Sequence, residues 1–215
     1  MQSNIFEIIA VTYGQNYELK CFINSIKCQT LDSWRLHIIH DGDCKNYQRI
    51  KKDLTENGYL DHPNIFLSAT PERHNDWGHS VRDYGLKNPI SESDYTIITN
   101  CDNYYIPQWI ELIDKFMKKS GVVNIKYDFM YWDFISRQSL ANRAFDRITP
   151  YGLCYSKLKY AYIDMGCAAI KTSICQQAGF NHRDHSADWS YFKDCLKLCK
   201  ESKIAKIPSI FLVHN

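Results

Sequence analysis

The chain has 215 residues, of which 45% are apolar and 23% charged, so it is long enough for one domain with a real core and too apolar for wholesale disorder. With 26 basic and 24 acidic residues the net charge is +2, which excludes a global positive field that would recruit nucleic acid or an anionic membrane. Nine cysteines without a Cys-x-x-Cys pair, a start without a charged signal region and the lack of a ~20-residue apolar run point to free thiols, a reducing cytoplasmic setting and no membrane span.

Ile5 to Tyr13 is a nearly continuous apolar, β-branched run, the pattern of a strand buried on both faces in a parallel sheet. Gly14-Gln15-Asn16 breaks it. Leu19, Phe22, Ile23 and Ile26 then recur at helical spacing, which predicts a helix over 17–29. Trp34 to Ile39 reads as a second strand ending at His40-Asp41-Gly42-Asp43. A helix over 44–57 stops near Gly58, and Asn64 to Ser68 is a short strand. Ser80 to Leu86 reads as a helix bounded by Pro89. Asp94 to Thr99 is a strong strand that runs into Asn100-Cys101-Asp102-Asn103. Pro107 suits a first helical turn, and Trp109, Ile110, Leu112, Ile113 and Phe116 carry that helix to 119. The alternation over the first 120 residues predicts an α/β fold with a parallel sheet and right-handed crossovers.

The second half is less regular. Val122 to Phe134 gives one or two strands, residues 136–160 are irregular with a turn at Pro150-Tyr151-Gly152, and Tyr162 to Lys171 reads as a strand. Ser173 to Ala178 is a short helix, 179–185 a loop, Asp188 to Ser202 a helix and Ile207 to His214 a last strand. The whole of 1–215 is expected to be one domain. Its end at Asn215, straight after a strand, suggests a piece of a longer polypeptide with further domains beyond, although a short protein would look the same.

Ligands of open α/β sheets bind at the carboxyl ends of the strands. Here those ends carry Thr12-Tyr13, His40 to Asp43 and Asn100 to Asn103. None has the glycine pattern of a dinucleotide fingerprint or a P-loop. Acidic groups at strand tips suggest a divalent metal held between carboxylate and diphosphate, since hard cations prefer oxygen ligands.

Taken in order, these segments resemble the GT-A glycosyltransferases of the large family-2 type. The first strand ends in a Thr-Tyr pair, and the next helix carries Leu19, Ile23, Ser25, Ile26 and Gln29. His40-Asp41-Gly42-Asp43 stands where the family has Asp-Asp-Gly-Ser. Gly78 leads into Val81-Arg82-Asp83 where the family has Ala-Arg-Asn, and Asn100-Cys101-Asp102 stands at the metal-binding Asp-x-Asp, with Pro107 after it. Gly179-Phe180 and Asp188-Trp189 match the family's late Gly-Phe and acidic helix loosely. Three departures matter. His40 and Asn100 replace aspartates, and Ala187 replaces one member of an acidic pair. The chain is also similar in overall flavour to the amino-terminal glycosyltransferase domain of chlorella-virus glycan-building proteins.

The resemblance implies a GT-A fold. Its nucleotide-sugar-binding half is 1–120 and its acceptor-binding and catalytic half is 121–215. It further implies transfer of a sugar from a nucleoside-diphosphate sugar, with uracil as the expected base, to a hydroxyl of a glycan acceptor, with inversion and with Mn²⁺ or Mg²⁺. Asp102 is then the metal ligand, although it also suits a helix cap before Pro107. His214 closes the last strand, where related families complete the metal site; a solvated strand-end histidine is the alternative. Asp41 would read the base, or simply form an Asp-Gly turn. Thr12 and Tyr13 would line the nucleoside slot. Gly78, Asn100 and Cys101 would border the donor, and Arg82 would contact diphosphate or ribose, or form a surface ion pair. Asp188 is the expected base, unless it only starts its helix, and Asp164 is the fallback.

The histidines of 74–79 and 182–185 lack zinc spacing; the first segment reads as the loop under the donor diphosphate and the second as a loop bordering the acceptor. Tyr127 to Trp132 is either an acceptor platform or core. A glycan-binding module on a degenerate transferase scaffold and a sugar-phosphate nucleotidylyltransferase remain the alternatives.

Overall fold

The computed structural model describes residues 4–14, 16–119, 123–136 and 151–214. The first half follows the expected alternation: β1 (Phe6–Thr12), α1 (Asn16–Lys27), β2 (Trp34–His40), α2 (Lys45–Glu56), β3 (Ile65–Ala69), α3 (His79–Lys87) and β4 (Tyr95–Asn100). After these come β5 (Tyr104–Tyr105), α4 (Trp109–Met117), and the two-residue strands β6 (Lys118–Lys119) and β7 (Val123–Asn124), which pair only with each other. The second half holds β8 (Phe129–Ser136), β9 (Gly152–Cys154), β10 (Ala168–Lys171), α5 (Thr172–Ala178), α6 (Ala187–Leu198) and β11 (Ile204–His214).

The main sheet runs β3-β2-β1-β4-β10-β8-β11-β5, with β9 added on β8. β1 pairs in parallel with both β2 and β4, and β2 with β3. β10 is antiparallel to β4 and β8, so the carboxyl half of the sheet is mixed. Side chains alternate across each strand. Phe6, Ile8 and Ala10 face a core with Leu19, Phe22 and Ile23 of α1 and Trp109 and Ile113 of α4. Ile9 and Val11 face a second core with Val81 of α3 and Tyr191 and Phe192 of α6. Burial on both faces explains why β1 reads as an unbroken apolar run.

The second half departs from the sequence expectation where single residues redirect the chain. A strand over 162–171 is predicted, but only Ala168–Lys171 is one. Asp164 Oδ1 accepts the Gly166 N–H at 2.8 Å and folds Met165–Cys167 into a single 3₁₀ turn. The last helix stops at Leu198 rather than Ser202. Asp128 Oδ2 there accepts the Lys200 N–H, and the Asp128 N–H donates to the Lys203 carbonyl, which starts the chain along β8. β11 is therefore longer than the apolar run suggests. It pairs in parallel with β8 from Ile204 to His214, and the register shift between Ile207 and Ile210 accommodates Pro208. Pro150 of the predicted turn lies outside the described residues, and Gly152–Cys154 forms a strand.

Candidate active site

The carboxyl ends of β1, β2 and β4 open into one cleft of about 440 Å³. Its lining includes Thr12, Tyr13, Asp41, Gly78, Arg82, Asn100 and Asp102, seven residues singled out in the sequence. Asn75 and Trp77 of the 74–79 loop line it as well, and so does Arg73, which sequence patterning did not find.

The turn after β2 is built by its neighbours. His40 is fully buried, and its Nδ1 lies 2.8 Å from the Gly42 carbonyl oxygen. A carbonyl only accepts, so Nδ1 carries the proton, and Nε2 accepts from Asn46 Nδ2 at 3.2 Å. Burial keeps this ring's pKa below the ordinary histidine value, against the raising effect of the Gly42 carbonyl. His40 thus holds the turn as a neutral ring. Asp41 accepts the His74 N–H on Oδ1 at 2.8 Å and the Asn75 N–H on Oδ2 at 2.9 Å. Its first task is to pin the 73–75 loop across the cleft; a carboxylate has about four acceptor sites, so two remain. Gly42 has φ +91°, and a Cβ there would lie 3.0 Å from the Arg73 backbone, so the loop crosses only because residue 42 is glycine. The Arg73 guanidinium then lies 4.0 Å from the Tyr13 ring centroid and forms a cationic, planar wall.

Asn75 and Trp77 both have positive φ, +54° and +56°. That conformation is costly for a bulky side chain, yet Trp77 is 77% exposed and gains no core packing from it. Its carbonyl is fixed by Arg82 Nη1 at 3.0 Å. Gly78 at φ +81° lets the loop turn into α3, and a Cβ there would press on Val11 at 3.1 Å.

Arg82 is 4% exposed, which rules out the surface ion pair. Nη1 also donates to His79 Nδ1 at 3.1 Å, and Nη2 donates to Asn100 Oδ1 at 2.8 Å. Arginine has only donors, so His79 Nδ1 accepts and its proton sits on Nε2, a buried atom without a protein partner. Burial and Arg82 both keep His79 below the ordinary histidine range, and the nearby Asp188 carboxylate opposes them.

Asp102 follows β4 and is half-buried; its Oδ1 is buried without a protein partner. Burial pushes its carboxyl pKa up, the nearby His214 pulls it down and Asp164 adds to the rise. His214 Nε2 lies 3.3 Å from Asp164 Oδ2. Asp102, Asp164 and His214 thus influence one another electrostatically. Among the described residues, however, no three His, Cys, Asp or Glu side chains converge on one metal position. That donor set still fits Mg²⁺ or Mn²⁺ bound with a substrate, because such ions take one or two protein ligands and fill the rest with phosphate oxygens and water.

Asp188 lies in the first turn of α6 with one carboxylate oxygen buried and unpartnered. Cys101 is fully buried in the first core and does not line the cleft; burial pushes its thiol pKa well up. Phe129, Met130 and Trp132 of the aromatic run are likewise core residues, whereas Tyr127 and Tyr131 are half-buried. His182 of the second histidine loop is paired with Asp194 at 2.8 Å.

No protein-family model and no curated protein matches the chain. Solved structures do. S. aureus TarS residues 1–349 superpose with a TM-score of 0.72 at 12% identity, over 98% of this chain and 60% of that one. This chain has the fold of the GT-A glycosyltransferases. TarS 1–349 in complex with UDP-GlcNAc gives a TM-score of 0.70 at 12% identity, over 98% of this chain and 58% of that one. The mannosyltransferase PcManGT from Pyrobaculum calidifontis, solved with GDP-Man and Mn²⁺, gives 0.64 at 14% identity, over 100% of this chain and 57% of that one. The chain therefore spans less than two thirds of these GT-A neighbours. They lend no support to the viral resemblance.

Proposed function

We propose that the chain is a glycosyltransferase that moves a sugar from a UDP-sugar to a hydroxyl of a glycan acceptor with inversion at the anomeric carbon. The observation that carries this reading is the set of unpartnered polar atoms in residues that line the cleft. Thr12 Oγ1, Arg82 Nε and Asp102 Oδ1 are all buried without a protein partner, and all three residues line the same 440 Å³ space. Each unmet buried polar atom costs about 1–3 kcal/mol, so three together fit a site completed by a polar ligand. Structures of the same fold bind UDP-GlcNAc and GDP-Man, which supports a nucleotide sugar as that ligand.

In this reading the base lies against Tyr13 and Arg73, with Asp41's remaining acceptor sites facing an imide N–H. Asp102, with His214 beside it, would hold a divalent ion, which supplies Lewis-acid stabilisation of the leaving diphosphate. Asp188 takes the proton from the acceptor hydroxyl. That oxygen bonds to the anomeric carbon as the bond to the phosphate oxygen breaks, and the electron pair leaves with UDP. Asp164 is a poorer base, because both its oxygens already have partners in Gly166 N–H and His214.

Thermal unfolding against UDP-, GDP- and dTDP-sugars, with and without Mn²⁺, tests the reading. UDP and its sugars should raise the midpoint more than the other nucleotides, and UDP release should follow addition of a glycan acceptor. No shift with any nucleotide sugar would sink the proposal. Binding without UDP release for any donor and acceptor would favour a binding module.

A further inference from the structure

Arg82 is a buried cation whose hydrogen-bond partners are all neutral. Its guanidinium donates to the Trp77 carbonyl, the His79 ring and the Asn100 amide. Among the described residues no carboxylate lies within ion-pair distance of it: Asp76 and Asp83, on the same loop and helix, are engaged by Arg183 at 3.4 and 3.6 Å, and Asp83 also by Lys87 at 2.8 Å. The Phe180 ring covers it at 5.6 Å from the centroid, and Nε has no protein partner. A charge held at 4% exposure is costly unless something anionic meets it. Arg82 lines the cleft, so the place left for that anion is the ligand's.

Residue 100 decides this balance. An aspartate there would accept the same hydrogen bond and cancel the charge; the amide of Asn100 keeps the bond and leaves the guanidinium uncompensated. We infer that Arg82 is the cation that meets the donor's diphosphate, so this chain binds UDP without a divalent ion and needs one only for transfer. The inference rests on the nucleotide-sugar reading above and assigns the charge of the phosphate site to a residue of the chain itself. The geometry suits an anion. Three of the five guanidinium N–H groups are taken, so one on Nη2 and the one on Nε are left for an anion, and α3 starts just before them in the chain at His79.

The test is calorimetric titration of UDP and of uridine, in EDTA and in Mn²⁺, for the native chain, Asn100→Asp and Asn100→Ser. The native chain and Asn100→Ser should bind UDP in EDTA. Asn100→Asp should lose about tenfold or more of UDP binding in EDTA, beyond any change in its uridine binding, and recover it in Mn²⁺. A cooperative melting transition in each variant shows that it folds. UDP binding by the native chain only in Mn²⁺, or Asn100→Asp binding in EDTA as well as the native chain, would overturn the inference alone. UDP binding in neither condition would overturn it together with the transferase reading.

Discussion

His214 Nε2 lies 3.3 Å from Asp164 Oδ2 and so ties the end of β11 to the turn that precedes β10. The other ring nitrogen lies 3.2 Å from Ser136 Oγ at the end of β8. Asp164 also caps the 3₁₀ turn through Oδ1. Its two oxygens thus do separate work, and two substitutions should separate them. Asp164→Asn can keep the Gly166 N–H bond and loses only the charge beside His214; Asp164→Ala loses both. The alanine variant should be destabilised by about 1–2 kcal/mol in urea unfolding and the asparagine variant by less. Equal losses would mean that the cap contributes nothing.

Asp102 carries a charge that the ligand-free fold compensates only in part. Burial and Asp164 push its carboxyl pKa up, although His214 opposes them. A carboxyl whose folded pKa lies above its unfolded value lowers stability once the pH exceeds the unfolded value. Asp102→Asn should therefore leave the ligand-free melting midpoint unchanged or raise it at pH 7. The same change should leave UDP binding in EDTA in place and remove the Mn²⁺-dependent transfer. A large drop in the ligand-free midpoint would make Asp102 a structural residue instead.

Asp188 is expected to act on the acceptor and not on the donor. Asp188→Asn should bind UDP as the native chain does and transfer about 10²-fold more slowly or worse. The check is a UDP-release assay alongside calorimetry on the same preparation. Transfer at the native rate removes Asp188 as the base.

Trp77 tests whether a strained loop residue serves the cleft. Its left-handed backbone suits glycine better than tryptophan, and its ring is 77% exposed. Trp77→Gly should therefore stabilise the ligand-free chain by about 1 kcal/mol while weakening UDP-sugar binding severalfold. Trp34, Trp109 and Trp132 are fully buried and Trp189 is half-buried, so the part of the UDP quenching that Trp77 supplies should disappear in the variant.

The first half of the fold was legible because one physical signal dominates there. Strands β1, β2 and β4 are covered on both faces, so they read as unbroken apolar runs, and their polar tips mark the cleft. The second half depends on contacts that local patterning does not carry. Asp164 turns a predicted strand into a 3₁₀ turn, and Asp128 ends α6 early through bonds to Lys200 and Lys203, 72 or more residues away. Within the site, Asp41 and Asp102 stood out as acids at strand ends. The 74–79 loop also stood out, but Arg73 did not, because what places it is the crossing of the loop over Gly42. Adjacency in sequence misled at Cys101: Asn100 and Asp102 reach the cleft, whereas Cys101 between them points into the core, as alternation requires.

His37 on β2 gives the fold a dependence on pH that is separate from the cleft. It is 4% exposed, its Nε2 lies 2.7 Å from Ser68 Oγ, and its Nδ1 is buried without a protein partner. Burial lowers its pKa from 6.5 to about 4. The folded chain therefore refuses a proton that the unfolded chain accepts between those values. Stability from this residue is complete above pH 6.5, falls as the pH drops toward 4, and has no further slope below that. Urea unfolding from pH 7.5 to 4 should show the decline, and His37→Gln, which has no titrating ring, should flatten it. A slope unchanged in the glutamine variant would place the acid sensitivity on another group.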